Sequence, residues 1–526
     1  MAKRKAALKA SGAADEPNLV LPLASSYNER GVAGFTHSVT NSEDQRKVNC
    51  FYELAKNALT GKGTLTLAKR PGVTIDASTY GSSSQLSYIV LNPVGNAPAA
   101  RIVFNVLSGD VRSSTAANNV VIVTGVGNAF PIYCDTTVIS NVRYAVVQIS
   151  TTTGNSDSSA FTYYASSSDI ILGNAWTHIT DGDFTSLVFV GKMEHMDGYA
   201  FIMDSTSRIW NSDVNSLANW TATSFITKGI QLDSPVGLAR LGLKILAFGQ
   251  ESVEVFYNAG NTAGSPLGRI PNLATNIGLI PTVRNATSNA VGGGTHYYAT
   301  LEHRIYFVGG RSGVSEGSIS KNCGLYMFDG QSFDKVSTGY IDKMLSEESS
   351  NNSIYSVNVV SIQGQAGIAI CLSVPSSATQ RFLVFFPEWK EWFEWTSTIY
   401  SPVNDGGYHI GIVQPQKLFT FAATDNWQDN AVSYAWSTQF KLPTNGSSRK
   451  FMSMYGVDAD TDTTTNDLTA EISTDDCATF STLGTIPLNQ DRKVLFRGGS
   501  FRKAHIRLGN TNARPVRIHN FLARLE

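Results

Sequence analysis

The chain has 526 residues, room for roughly three or four average domains. Its 41 Lys and Arg nearly cancel its 42 Asp and Glu, leaving a formal net charge of −1. Charged residues are only 16%, against roughly 25% in an ordinary soluble domain, while a hydrophobic content of 42% supplies a core and excludes wholesale disorder. A near-neutral chain has little long-range field, which argues against tight global binding of a polyanion but not against weak contact with DNA. Ser, Thr and Asn take the place of the missing charge and favour turns and strands over exposed helix faces.

Residues 1–17 read as a basic, Ala-rich arm. Met1–Lys9 is basic, but no apolar stretch follows it, so no secretory signal is expected. Over residues 41–59, Val48, Phe51, Tyr52, Ala55 and Leu59 fall at helical spacing behind an Asn/Ser cap, which predicts a helix in a segment closed by Gly61-Lys-Gly63 and the Lys69-Arg70-Pro71-Gly72 turn. From about 75 to 445 the pattern becomes short apolar runs such as Arg101–Leu107, Tyr144–Ile149, Leu243–Phe248 and Gly367–Leu372, separated by Gly, Asn, Asp and Ser. These are too short for helices and rich in β-branched and aromatic residues.

Many runs pair as hairpins. Leu325–Asp329 turns through Gly330 into Phe333–Ser337, Phe382–Phe386 turns through Pro387-Glu388 into Glu391–Thr396, and Ala200–Asp204 turns through Ser205–Ser207 into Arg208–Trp210. Four-stranded units recurring every ~40–60 residues suit β-propeller blades, with a sandwich array as the alternative because no strict period is present. Ile341–Leu345 is the one helix expected within this region, two turns at most. After Lys441–Ser448 the strands lengthen, as in Leu468–Ser473 and Val516–Phe521, and predict a separate small β-sandwich. The expected fold is therefore all-β: a basic arm and extended segment over 1–74, a propeller body over 75–445 and a sandwich over 446–526.

The motifs do not announce an enzyme. Cys50, Cys134, Cys323, Cys371 and Cys477 are odd in number and far apart, which encodes neither a disulfide framework nor a zinc site. Glu194-His195 and Glu302-His303 lack metal spacing and read as structural. Asp458-Ala-Asp460-Thr-Asp462-Thr463 begins like a calcium loop but lacks the Gly and the closing Glu. Ser473-Thr-Asp475-Asp-Cys477-Ala-Thr479-Phe480 resembles an Asp-box turn with Cys477 at its Gly position, a hairpin staple and not a catalytic element. Trp389, Trp392, Phe393 and Trp395 offer a sugar platform in principle, but alternation puts Trp392 on the face opposite Phe393 and Trp395, so part of the group belongs to the core. No catalytic residue, metal or cofactor is expected, nor any membrane span.

The order of segments carries more. Lys47-Val-Asn49-Cys-Phe-Tyr52 followed by Leu67-Ala-Lys-Arg-Pro71-Gly72-Val73 is similar to the opening of the tail hub, or packaged-DNA stabilisation, proteins of short-tailed phages (podoviruses). Gly237–Arg240 with Ile245–Tyr257, then Gly278–Ile280, Tyr297-Tyr298, Ile305–Phe307 and Tyr340–Leu345, resemble that family's next units. Ile370–Leu372, Leu383–Phe385, Trp392 and Trp395 follow, and Ser500–Lys503, Arg514–Ile518 and Ala523–Glu526 resemble its closing strands. The resemblance spans about residues 45–526, departs from the family in 74–170 and in the basic arm, and favours extended structure near Asn49 over the helix.

It implies a propeller-containing, homohexameric ring of the virion tail, assembled in the host bacterial cytoplasm and mounted below the portal and its adaptor. Such a ring extends the DNA channel, retains and releases packaged double-stranded DNA through weak contacts, and carries a tip or fibres. A charge-poor lining suits DNA that must slide. Lys3, Arg4, Lys5 and Lys9 are the candidate partner contacts, and Gly81–Gln85 and Gly309–Lys321 the candidate subunit-interface loops. The rival reading is a glycan-binding or glycan-degrading propeller of a tail fibre, which requires paired carboxylates in a cleft.

Overall fold

Short apolar runs joined by tight turns leave the chain little choice but antiparallel meanders. At Ser140-Asn141, Asp197-Gly198, Glu302-His303 and Gln363-Gly364 both turn residues have positive φ, the two-residue geometry whose twist matches that of flanking strands. The computed structural model describes residues 17, 19–23, 46–56, 63–79, 86–91, 100–107, 110–114, 119–124, 130–150, 157–158, 161–280, 297–310, 323–350, 354–372, 380–397, 403–404, 409–413, 417–421, 428–429, 432–442, 448–462, 465–490 and 493–526.

Among the described residues these meanders make seven four-stranded units in chain order. Blade one runs from Leu86–Leu91 to Asn119–Val123 and blade two from Phe130–Ile139 to Thr177–His178. Blade three runs from Val188–Met196 to Trp220–Thr227, with Asp157–Ser158 added to its first strand, and blade four from Pro235–Leu241 to Leu267–Arg269. Blade five runs from Tyr298–Leu301 to Phe333–Lys335, with Gly278–Leu279 added to its second strand, and blade six from Ile354–Ile362 to Glu391–Ser397. Blade seven takes Val403–Asn404, His409–Val413 and Lys417–Phe421 from late in the chain and its fourth strand, Val73–Thr79, from the beginning. That pairing joins the two ends of the propeller body, and the first strands of blades one to four, and of blades five to seven, lie side by side in order. The all-β, propeller-containing expectation holds.

A blade has a neighbour on each face, so simple alternation disappears. Phe201, Ile202 and Met203 are consecutive and all fully buried, and they belong to two different apolar clusters. The helix Gly339–Ser350 between blades five and six is 12 residues long, longer than the two turns expected.

The outer strand of blade six continues into a second body. Arg46–Val48 lies parallel to Glu391–Ser397 and antiparallel to Trp436–Lys441. His505–Asn510, Asp467–Ser473 and Ser481–Pro487 then extend one nine-stranded sheet. A facing sheet is built of Cys50–Lys56, Gly63–Lys69, Arg517–Leu525, Lys450–Ala459 and Val494–Phe501, with Leu19–Pro22 on Arg517–Leu525. Phe51, Tyr52, Trp395, Trp436, Tyr455, Ile506 and Phe521 fill the space between them. The helix expected over 41–59 is replaced, in the described part, by the Cys50–Lys56 strand. Cys50, Phe51 and Tyr52 are all buried, so a strand covered on both faces imitated helical spacing.

Asn49 joins the two bodies. It sits at φ 53, a left-handed conformation that Asn tolerates better than most residues. Its Nδ2 donates to Thr396 Oγ1 at 2.8 Å and to Ala435 O at 2.7 Å. Its Oδ1 accepts from Arg70 Nε at 3.0 Å and from the Thr396 backbone N–H at 2.9 Å. Arg70 is fully buried, donates also to Thr396 O and Pro71 O, and lies 4.0 Å over the Tyr434 ring. Asn49→Ala strips this guanidinium of one partner and leaves several buried polar groups unmet. We expect urea unfolding to show a loss of about 3 kcal/mol, while Asn49→Gly, which keeps the φ, shows nearly the same loss because the side-chain bonds are what matter.

Candidate functional site

The densest group of perturbed ionisable side chains lies where the first strands of blades two to five converge. Lys192 of blade three reaches Asp135 of blade two at 2.7 Å and Glu194 of its own strand at 3.2 Å. Tyr298 of blade five donates to Glu194, and its ring lies 4.8 Å from the Lys192 ammonium. Blades three and five are not neighbours, so these side chains meet across the inner edge of blade four.

Close backbone approach makes this possible. Gly191 has φ +74, and a Cβ there would stand 2.4 Å from Gly237 Cα of blade four. A Cβ on Gly237 would in turn fall 2.7 Å from the Tyr297 hydroxyl, which donates to Leu238 O. Met193 N–H donates to Gln148 Oε1 at 2.9 Å, and Arg240 Nη1 to His195 O at 2.6 Å.

The electrostatics follow from two carboxylates sharing one ammonium in a buried space. Burial pushes Glu194 up to about 7, with the Asp135 charge adding to the shift against Lys192. Burial would raise Asp135 too, but the adjacent Lys192 overrides it and holds that carboxyl below its usual range. Lys192, despite burial, is raised well above its ordinary value by both carboxylates. Burial lowers His195 to about 4, and Lys192 and Arg240 add to the effect. Its Nε2 is buried without a hydrogen-bond partner among the described residues. The arrangement ties four blades together, because removing one member of a buried pair leaves an uncompensated charge.

Lys3, Arg4, Lys5 and Lys9, and the loop Gly81–Gln85, lie outside the described residues; of Gly309–Lys321 only Gly309 and Gly310 are described, at the end of a blade-five strand. Glu194 and His195 come together with Lys192 and Asp135, whereas Glu302 and His303 form an exposed hairpin turn. Trp389, Phe393 and Trp395 are buried against the N-terminal strand, with Tyr52 at 5.6 Å from Trp389 and 5.1 Å from Phe393. Trp392 packs on Phe385 on the opposite face, as alternation requires. No open platform remains there for a sugar.

Asp458, Asp460 and Asp462 are engaged by Asn520, His519 and Asn466 respectively. Among the described residues no group of three or more His, Cys, Asp or Glu is placed to hold a metal ion. The Asp-box resemblance is geometric as well: Asp475 accepts from Ser473 Oγ and from Thr479 N–H, and Cys477 adopts φ 71 at the Gly position. Those bonds hold the Asp475 carboxyl below its ordinary range. Reading the sequence missed Asp135, Lys192 and Tyr298. The usable signal was Lys192 and Glu194 alternating within an otherwise apolar inner strand.

The fold is a β-propeller joined through the strand Arg46–Val48 to a second β body. Residues 124–379, blades two to five and the first half of blade six, match the family model described as "Bacteriophage P22 Gp10, beta-propeller". Over these residues the chain is similar to a phage stabilisation family, which supports a phage structural protein and agrees with the resemblance drawn from its sequence.

No curated protein matches the chain. Similar solved structures include one titled "Crystal Structure of Mitotic Checkpoint Complex" (10% identity, TM-score 0.35, 68% of this chain and 93% of the other). Others are BamB from Moraxella catarrhalis (11%, 0.31, 68% and 94%) and BBS1N in complex with ARL6DN (10%, 0.38, 68% and 98%). At such scores none of them bears on function.

The pH dependence of stability follows from the signs. Between about 4 and 6.5 the unfolded chain holds more protons on His195 than the native one, so this group's contribution rises with pH. Glu194 works in the opposite sense between about 4.5 and 7, because its proton is held more tightly in the native state. Thermal unfolding of His195→Gln is expected to show stability falling as pH rises through that window. Glu194→Gln should show it rising, and the unaltered chain should be flatter than either. Parallel slopes in the two variants would contradict the assignment.

Proposed function

We propose that the chain is the hub or nozzle subunit of a short phage tail. Copies assemble in the host cytoplasm into a ring, six in the arrangement that the resemblance implies, mounted below the portal and its adaptor. The ring extends the DNA channel, retains packaged DNA, releases it on ejection, and bears the tip or fibres. Passage depends on lumen shape and weak electrostatics, with no catalytic step.

One observation carries the reading: residues 124–379, which form blades two to five and the first half of blade six, match the phage family model. The low charge supports it, since each Lys or Arg set against a phosphate strengthens salt-dependent attachment, and 16% charged residues with a net charge of −1 keep that attachment weak. No helix among the described residues is long and apolar enough to cross a membrane.

The test is light scattering of the purified chain, alone and with adaptor-bearing particles, together with negative-stain imaging. Sixfold rings recruited to particles, with a lumen wide enough for a duplex, are expected. A monomer or trimer that is not recruited contradicts the proposal.

A further inference from the structure

One end of the second body concentrates positive charge that the mechanism above does not use. Lys450–Ala459 pairs with Val494–Phe501, Lys450 opposite Phe501 and Phe451 opposite Ser500. Around this end lie Arg449, Lys450, Arg497, Arg502 and Lys503, all exposed except the half-buried Lys450. Two aromatic rings stand among them in solvent, Phe451 at 43% and Phe496 at 51% exposure. Arg449 is steadied by a bond from its Nε to Ser500 Oγ at 3.1 Å.

The acid nearest in the register is Glu526, whose backbone pairs with Phe451. Its carboxylate accepts from Ser453 and pairs with Arg524 at 3.4 Å. Among the described residues none of the five cations has an ion-pair partner within 4 Å. In a chain whose charges otherwise cancel, this is a local excess on one pair of strands.

Val494–Phe501 is also the last strand of its sheet, so among the described residues its outer edge is unpaired. Arg497 at φ 70 and Gly499 at φ 87 form a bulge there, which discourages a further strand from pairing with that edge. A partner that needs no strand pairing fits better: three guanidinium forks and two ammonium groups on one surface suit the phosphate oxygens of a nucleic-acid backbone.

We propose that this end of the second body, centred on Arg497, Arg502 and Lys503 with Arg449, Lys450, Phe451 and Phe496, contacts the phosphate backbone of double-stranded DNA. The contact is sequence-independent and salt-sensitive, a brake and not an anchor. It deepens the tail-hub reading by naming where DNA touches, yet stands on a charge pattern that does not require the ring.

The test is fluorescence anisotropy of a labelled 20-base-pair duplex with the full chain over a salt series. Arg497→Glu, Arg502→Glu and Lys503→Glu together should weaken binding by about tenfold or more at low salt. They should also lower the slope of log K against log salt by about 3, close to one for each phosphate no longer neutralised. A second triple variant with Gln at the same three positions should move the same way by less, and an unchanged thermal transition certifies its fold. Arg208→Glu with Lys343→Glu, exposed cations on the propeller, should leave binding within about twofold. Equal losses in both sets, no binding by the unaltered chain, or competition by polyglutamate as effective as by unlabelled duplex would each overturn the proposal. Ring formation by the same variants, followed by light scattering, separates the two ideas: rings whose DNA affinity the substitutions leave unmoved sink the patch and leave the hub.

Discussion

The architecture depends on the buried hydrogen-bond knot of Asn49, Arg70 and Thr396. Strand Arg46–Val48 must enter between Glu391–Ser397 of blade six and Trp436–Lys441 of the second body, and Asn49 is the residue at which the chain turns out of that slot. A fully buried guanidinium is costly unless every donor finds an acceptor, and here the backbone carbonyls of Pro71 and Thr396 and the Asn49 side chain provide them. Beside the knot, Lys47 is buried with Glu391 and lies over the Tyr52 and Phe393 rings, while Arg46 pairs with Glu394 at 2.9 Å. Propeller and second body are thereby joined through paired charges as well as apolar packing.

The same segment has a second consequence. After the Pro71-Gly72 turn the chain supplies Val73–Thr79 to blade seven, so the strand that closes the propeller is tethered at one end to the knot. Ring closure and attachment of the second body therefore share about thirty residues. Inside the ring, the contacts among Asp135, Lys192, Glu194 and Tyr298 couple the first strands of blades two, three and five. The subunit is thus cross-braced both at its ring closure and among its inner strands.

Much of this was legible in residues close together in the chain. The hairpins through Gly330, Pro387-Glu388 and Ser205–Ser207 formed where turn residues interrupt β-branched and aromatic runs, and Trp392 lies opposite Phe393 and Trp395 as strand alternation demands. What escaped depends on distance along the chain. Nothing local at Ile75 says that it pairs with Phe419, and nothing at Asn49 names Thr396 or Ala435 as partners. The number of blades was hidden because loop lengths vary and blade seven draws its strands from both ends of the body. Glu194 was noticed, but its importance arises from Asp135 and Tyr298 on other blades, which sequence spacing does not reveal. The basic patch on the second body escaped for a related reason: Arg449 and Ser500 lie about fifty residues apart and meet only through strand pairing.

The proposal that this chain extends the tail channel and helps retain packaged DNA is tested most directly by particles assembled without it. The quantity to measure is the DNA content of purified particles, with and without the chain supplied in trans. The account predicts that particles lacking it package DNA and then lose it, and that adding the chain restores retention. Particles that keep a full genome and eject it normally without the chain would contradict it.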